Sequence, residues 1–237
     1  EAGYGSSAGE SVSVYAYESL LLEEQKKLYS LLKEVAPNPE LFDIFLLQND
    51  YHNLKTILKS EFSGQDDEGI LVDAGSIPAK KLKMMVKDRS MADMPAVMRK
   101  AVEECIDTFN RTGDPQSIDL ILDRATFEHM AQLSELSGNS FVKGFVRTLA
   151  DLANIKAFLR VKKLKKSWDF LQKFLVPGGM IEHKLFIDCV GEPLEVFMNA
   201  LGYKPYSVLM DGIESFRNTG SLTKLEKLSD NYIMNYV

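Results

Sequence analysis

The stretch Asp50-Tyr51-His52-Asn53-Leu54-Lys55-Thr56-Ile57-Leu58-Lys59 returns as Asp151-Leu152-Ala153-Asn154-Ile155-Lys156-Ala157-Phe158-Leu159-Arg160. Asp, Asn, Lys and Leu recur outright, while Leu/Ile, Ile/Phe and Lys/Arg recur in kind. A second block keeps the same order: Leu71-Val72, Gly75, Ile77, Lys80 and Val86 come back as Leu175-Val176, Gly179, Ile181, Lys184 and Val190. Tyr17-Glu18 and Phe127-Glu128 give a weaker echo upstream. Self-similarity at about a hundred residues is the mark of tandem units, each here a long helix carrying D-x-x-N, a loop and a short helix.

Working outward, the rest of the chain reads as helix. Leu47, Tyr51, Leu54 and Leu58 fall at i, i+4, i+7 and i+11, one face of a helix turned inward. Leu20, Leu21, Leu28, Leu31, Leu32 and Val35 keep helical spacing until Ala36-Pro37-Asn38-Pro39 stops them, and Asn38 with Pro39 suggests an N-cap and first position for the next helix. Pro78, Pro95, Pro115 and Pro193 each stand where a helix can start, with Asp114-Pro115 the clearest. The expected helices cover about 17–35, 40–60, 78–88, 93–112, 116–136, 140–163, 182–190, 193–201, 206–217 and 222–237. No sustained alternation of apolar and polar residues signals a strand, so the fold class is all-α, built of tandem helical repeats. The units are expected at 1–112, with a Gly- and Ser-rich lead-in over 1–13, at 113–204, and at 205–237, where a third and truncated unit begins. Its helix, Leu225 to Val237, resembles the one that precedes the D-x-x-N block in each unit.

Composition narrows the function. With 28 Lys and Arg against 34 Asp and Glu the net charge is −6, which argues against a general nucleic-acid binder. At 45% hydrophobic, the 237 residues can bury a core without staples. Cys105 and Cys189 are the only cysteines, as expected of a reducing, intracellular compartment. No run approaches the length that spans a bilayer, and no secretory leader precedes the first helix; the chain opens on Glu1 and is expected to be a fragment.

Chemistry-bearing motifs are sparse. There is no G-x-x-x-x-G-K-[ST], and Pro177-Gly178-Gly179, like Ala74-Gly75, reads as a turn. His52, His129 and His183 lack metal-site spacing, the two cysteines read as buried, and the sequon Asn110-Arg111-Thr112 is idle in a cytosolic chain. Neither a catalytic residue, a cofactor nor a metal is expected. Asp50 and Asn53 share one helix edge, where polar groups must find partners; a neighbouring helix's end or a basic side chain such as Arg124 or Arg147 would serve, making them architectural. The one dense basic stretch holds Lys156, Arg160, Lys162, Lys163, Lys165 and Lys166. It reads as a solvated helix end, or as a contact through Lys162, Lys163, Lys165 and Lys166 with anionic head groups or acidic loops of a partner.

Taken together, FDIFLLQNDYHNLKTILKSEF (42–62), LVDAGSIPAKKL (71–82), LDRATFEHM (122–130), LADLANIKAFLR (149–160) and LVPGGMIEHKLF (175–186) resemble the C subunit of the V-type or archaeal-type rotary ATPase, the counterpart of the eukaryotic vacuolar d subunit. The resemblance implies three similar helical units forming a funnel on a pseudo-threefold axis, the third incomplete here. It further implies a non-catalytic central-stalk adapter on the cytoplasmic face of the membrane. Such an adapter joins the central shaft to the proteolipid ring during proton or sodium transport or ATP synthesis, with no small-molecule substrate and no nucleic acid. The reading from a different class is a helical enzyme with a pocket between its units, since junctions favour pockets.

Overall fold

The computed structural model describes residues 17–36, 38–65, 69–202 and 205–237. The expected lead-in over 1–13 lies outside the described residues. All regular structure among them is helical. The chain divides into two compact units, Glu1–Ile118 and Asp119–Val237.

In the first unit α1 (Tyr17–Val35) leads through a 3-10 turn (Pro39–Phe42) into α2 (Asp43–Ser63), followed by α3 (Ala79–Lys87) and α4 (Ala96–Thr112). Asn38 does not cap α2 with its side chain. Its carbonyl accepts from the Leu41 amide at 3.2 Å, and the α-helix proper starts only at Asp43. The fixed φ of Pro39 suits the tighter turn as well as an α-helix, so Pro39 marks the 3-10 turn instead. The inward face holds as read: Leu47, Tyr51, Leu54 and Leu58 are buried, and α2 packs against α3. Phe62 of α2 stacks on Phe109 of α4 with ring centroids 4.0 Å apart. The apolar series of α1 differs, because Leu21, Leu28, Leu31 and Val35 stand 52–65% exposed. Lys33 ties this helix to Asp43 at the start of α2, 2.7 Å away.

The division falls just inside α5 (Gln116–Leu136). Asp114 starts that helix as its sequence suggests, its Oδ1 accepting from the Gln116 amide at 2.9 Å. In the second unit follow α6 (Ser140–Lys163), α7 (Trp168–Gln172), α8 (His183–Cys189), α9 (Leu194–Gly202), a 3-10 turn (Pro205–Leu209), α10 (Met210–Thr219) and α11 (Thr223–Tyr236). Asn139 caps α6, accepting from the Phe141 and Val142 amides at 2.9 and 3.3 Å. The one-turn α7 carries too little periodicity to be read in advance, and α10 begins four residues later than expected because Pro205 opens a 3-10 turn. The core centres on Phe158, Phe186 and Phe197, three buried rings whose centroids lie 4.2 to 6.0 Å apart. Residues 205–237 lie within this second unit, with Tyr206, Leu209, Ile213, Phe216 and Leu225 all in its core.

Candidate functional site

Each long D-x-x-N helix grips the loop that follows it. In the first unit Asp50 sits fully buried on α2. Its Oδ2 accepts from the Ser76 amide at 3.0 Å and the Ser76 hydroxyl at 2.6 Å, and its Oδ1 accepts from the Ile77 amide at 3.1 Å. One turn on, Asn53 pairs both ways with Val72: its Nδ2 donates to the Val72 carbonyl and its Oδ1 accepts from the Val72 amide, each at 2.8 Å. An asparagine amide has the donor and acceptor of a peptide group, so it can satisfy a loop residue as a neighbouring strand would. Asn49 adds a bond to the Ala74 carbonyl at 2.9 Å.

The second unit repeats the arrangement. Asp151 on α6 accepts from the Met180 amide at 3.0 Å and the Ile181 amide at 2.9 Å. Asn154 pairs both ways with Val176, at 3.0 Å to its carbonyl and 2.8 Å from its amide. One hydroxyl has changed its source. Met180 stands where the first unit has Ser76 and its side chain cannot donate, and the Tyr206 hydroxyl, from well beyond the loop, donates to Asp151 Oδ2 at 2.6 Å. His183 reinforces the same loop, its Nε2–H donating to the Val176 carbonyl at 2.8 Å and so fixing the tautomer.

These carboxylates therefore hold main-chain amides of the loop leading into the next short helix, where a helix end or a basic side chain is expected from the sequence. Arg147 is exposed and pairs with Glu135 at 3.2 Å. Burial pushes the Asp50 carboxyl above its ordinary value, against the opposing pull of the hydrogen bonds from Ser76 and Ile77. Burial first, and then the bond to Asp151, drives the Tyr206 phenol far up, which keeps it a donor.

Gly75 and Gly179 gain a new meaning. Neither has a left-handed φ, so the turn expected at Ala74-Gly75 does not explain the glycine. A side chain would instead overlap the clamp: a Cβ on Gly75 would run into Asp50 Oδ1 and lie 2.9 Å from its Cγ, and one on Gly179 would run into Asp151 Oδ1 and lie 3.1 Å from its Cγ. The loop backbone comes this close to the carboxylate only where no side chain intervenes. The recurrence of Gly at the same place in both blocks was the available signal. Nothing comparable announced Tyr206.

The basic run divides on inspection. The half-buried Lys162 ammonium sits at the end of α8, donating to the Val190 carbonyl at 3.1 Å, to that of Cys189 at 3.4 Å and to that of Glu192, with the Phe158 ring 5.7 Å below. Desolvation holds its pKa down, partly offset by Glu192 and Glu195 nearby. Lys163 donates to the Gly220 carbonyl at the end of α10, at 2.8 Å. Both use cations to satisfy helix C-terminal carbonyls. Lys165 and Lys166 are exposed, the latter over the Phe170 ring at 5.8 Å.

Two clefts among the described residues are lined without a gathering of catalytic groups. One of about 560 Å³ is lined by Leu71, Asp73, Pro78, Lys80 and Lys83, and another of about 230 Å³ by Ser134, Glu135, Arg147 and Gly178 to Met180. Cys105 and Cys189 are buried and not joined in a disulfide, His129 is buried with its pKa pushed down by desolvation, and His52 is exposed. Among the described residues no three His, Cys, Asp or Glu side chains converge as a metal site would need, and no helix is long and apolar enough to cross a membrane.

Comparison with known proteins yields relatives along most of the chain. The C subunit of the V-type sodium ATPase of Enterococcus hirae is 26% identical over 93% of this chain and 67% of its own. The C subunit of the A-type ATP synthase of Methanocaldococcus jannaschii is 23% identical over 87% of this chain and 56% of its own, and that of Methanosphaera stadtmanae 23% over 94% and 62%. The chain thus spans roughly three-fifths of the length of the relatives it matches. The family profile described as ATP synthase (C/AC39) subunit matches residues 1–237, and the chain, an all-α protein whose two D-x-x-N helices each clamp a glycine-bearing loop, belongs to that family, the C subunits of the V/A-type ATPases.

Proposed function

We propose that the chain is a non-catalytic adapter on the central stalk of a rotary ATPase, joining the shaft subunits to the membrane proteolipid ring on its cytoplasmic side. Family membership supports this, and one structural observation carries it: the same buried carboxylate-and-amide clamp stiffens each unit. A part that relays torque must resist deformation. Close packing supplies that only if the loops between helices are tied down as firmly as the helices themselves. Both loops here are held by side chains with every partner satisfied, which is a costly arrangement to disturb.

On this reading the units are members of a pseudo-threefold funnel, and residues 205–237 begin a third. ATP hydrolysis or synthesis and the passage of protons or sodium are the work of other subunits. The test is co-expression with shaft and ring subunits. The adapter reading expects this protein to co-purify with both, and expects clamp variants such as Asp151→Ala to retain ATP hydrolysis while ion transport falls. Failure to bind either neighbour, or a parallel loss of hydrolysis and transport in the isolated shaft-bearing complex, overturns it.

A further inference from the structure

The turn between α6 and α7 is unlike the rest of this acidic chain. From Lys156 to Trp168 there are six basic residues and no acidic one, within a protein of net charge −6. Lys162 and Lys163 are used internally, but residues 163–169 are all exposed, and among them stand Leu164, 60% exposed, and Trp168, 49% exposed. Lys165 and Lys166 make no ion pair among the described residues.

The backbone adds an independent observation. The Lys165 amide donates to the Lys162 carbonyl and the Lys166 amide to the Val161 carbonyl, at 3.1 and 3.2 Å, the paired bonds that close a helix with one left-handed residue. Lys165 is that residue, with φ of 52°. Glycine takes this conformation at far lower steric cost, so the closing turn carries a strained and exposed lysine.

We propose that Leu164, Lys165, Lys166 and Trp168 form a membrane-interfacial contact that docks on anionic lipid head groups, the tryptophan and leucine entering the boundary between head groups and acyl chains. An acidic protein surface would satisfy the lysines but leave Trp168 and Leu164 against polar ground. The lipid boundary offers anions and apolar matter within a few ångströms of each other, and Trp beside Lys is the pattern suited to it. Each lysine near such a surface raises binding roughly five-fold, so the pair is expected to contribute roughly 25-fold. This contact goes beyond the adapter reading and does not depend on it.

Trp168 is the only tryptophan of the chain, so its fluorescence reports the event directly. The protein is titrated with vesicles of phosphatidylcholine alone and of phosphatidylcholine with phosphatidylglycerol. Expected is a blue-shifted emission with the anionic vesicles only, reversed by high salt and quenched by lipids brominated high on the acyl chain. Lys165→Gly relieves the left-handed lysine and so keeps or raises the melting temperature, and combined with Lys166→Gln it is expected to weaken vesicle binding by tens of fold. An unshifted emission with anionic vesicles, or a double variant that binds as the parent does, overturns the proposal. So does a response to polyglutamate in place of vesicles, which would make the partner an acidic polypeptide. Neither result bears on co-purification with shaft and ring, and loss of co-purification leaves the vesicle result standing.

Discussion

Adding one methyl group at Gly75 tests the clamp more sharply than removing any of its polar groups. In Gly75→Ala the new Cβ would overlap Asp50 Oδ1 and stand 2.9 Å from Cγ, where carbon atoms in contact prefer about 3.5–4 Å. Relief demands that the carboxylate or the loop retreat by roughly 1 Å. Either movement breaks the bonds from the Ser76 and Ile77 amides, because they hold the same carboxylate to the same loop. A hydrogen bond to a charged group contributes about 1.5–3 kcal/mol, so two of them set an expected destabilisation of ~3–6 kcal/mol. Urea unfolding of the parent, Gly75→Ala, Asp50→Ala and the double variant gives the measurement. Asp50→Ala alone also destabilises, leaving buried amides unsatisfied, but in that background the extra methyl meets no carboxylate and should cost under about 1 kcal/mol. Gly191→Ala is the control, with open space around the site. Additivity of Gly75→Ala and Asp50→Ala would refute the reasoning, because it would mean the glycine is needed for something other than the approach of Asp50.

Two further expectations concern the same groups. Tyr206→Phe deletes only the hydroxyl that donates to Asp151 and should cost about 1.5–3 kcal/mol in urea unfolding, with no loss of helix by circular dichroism; a change below about 0.5 kcal/mol would show the bond to be dispensable. The raised pKa of Asp50 gives a pH dependence of fixed sign. Its contribution is fully present below its unfolded value of about 3.9 and is lost as pH rises through the higher folded value. The unfolding free energy of the parent minus that of Asp50→Asn should therefore shrink as pH increases from about 4, and a difference that grows would contradict the burial argument.

The helical architecture was legible because it rests on short-range signals. The i, i+4, i+7, i+11 face of Leu47, Tyr51, Leu54 and Leu58, the prolines ahead of α3 and α4, and Asp114 ahead of α5 each act within one or two turns of the chain. Asn38 misled because a proline after a polar residue fits a 3-10 turn as well as an α-helix. Repetition in the sequence marks Asp50, Asn53, Asp151 and Asn154, but not what they hold. Their partners are main-chain groups of a loop some 20 to 30 residues away, and main-chain groups leave no letter in a sequence. The lysines differ in role for a related reason. Lys162 and Lys165 look alike in the sequence, and only the carbonyls at the end of α8 separate a cation with a structural task from one facing solvent.

Moving one hydroxyl from the loop to Tyr206 has a consequence for how such a chain can be taken apart. The first unit completes its clamp with Ser76, inside the loop itself, so in this respect it is self-sufficient. The second borrows from 55 residues downstream and is not. The two clamps are thereby not interchangeable: a graft of the second block into the first position would arrive one donor short, and a deletion ending ahead of the Pro205 turn would strand a buried carboxylate far upstream of the cut.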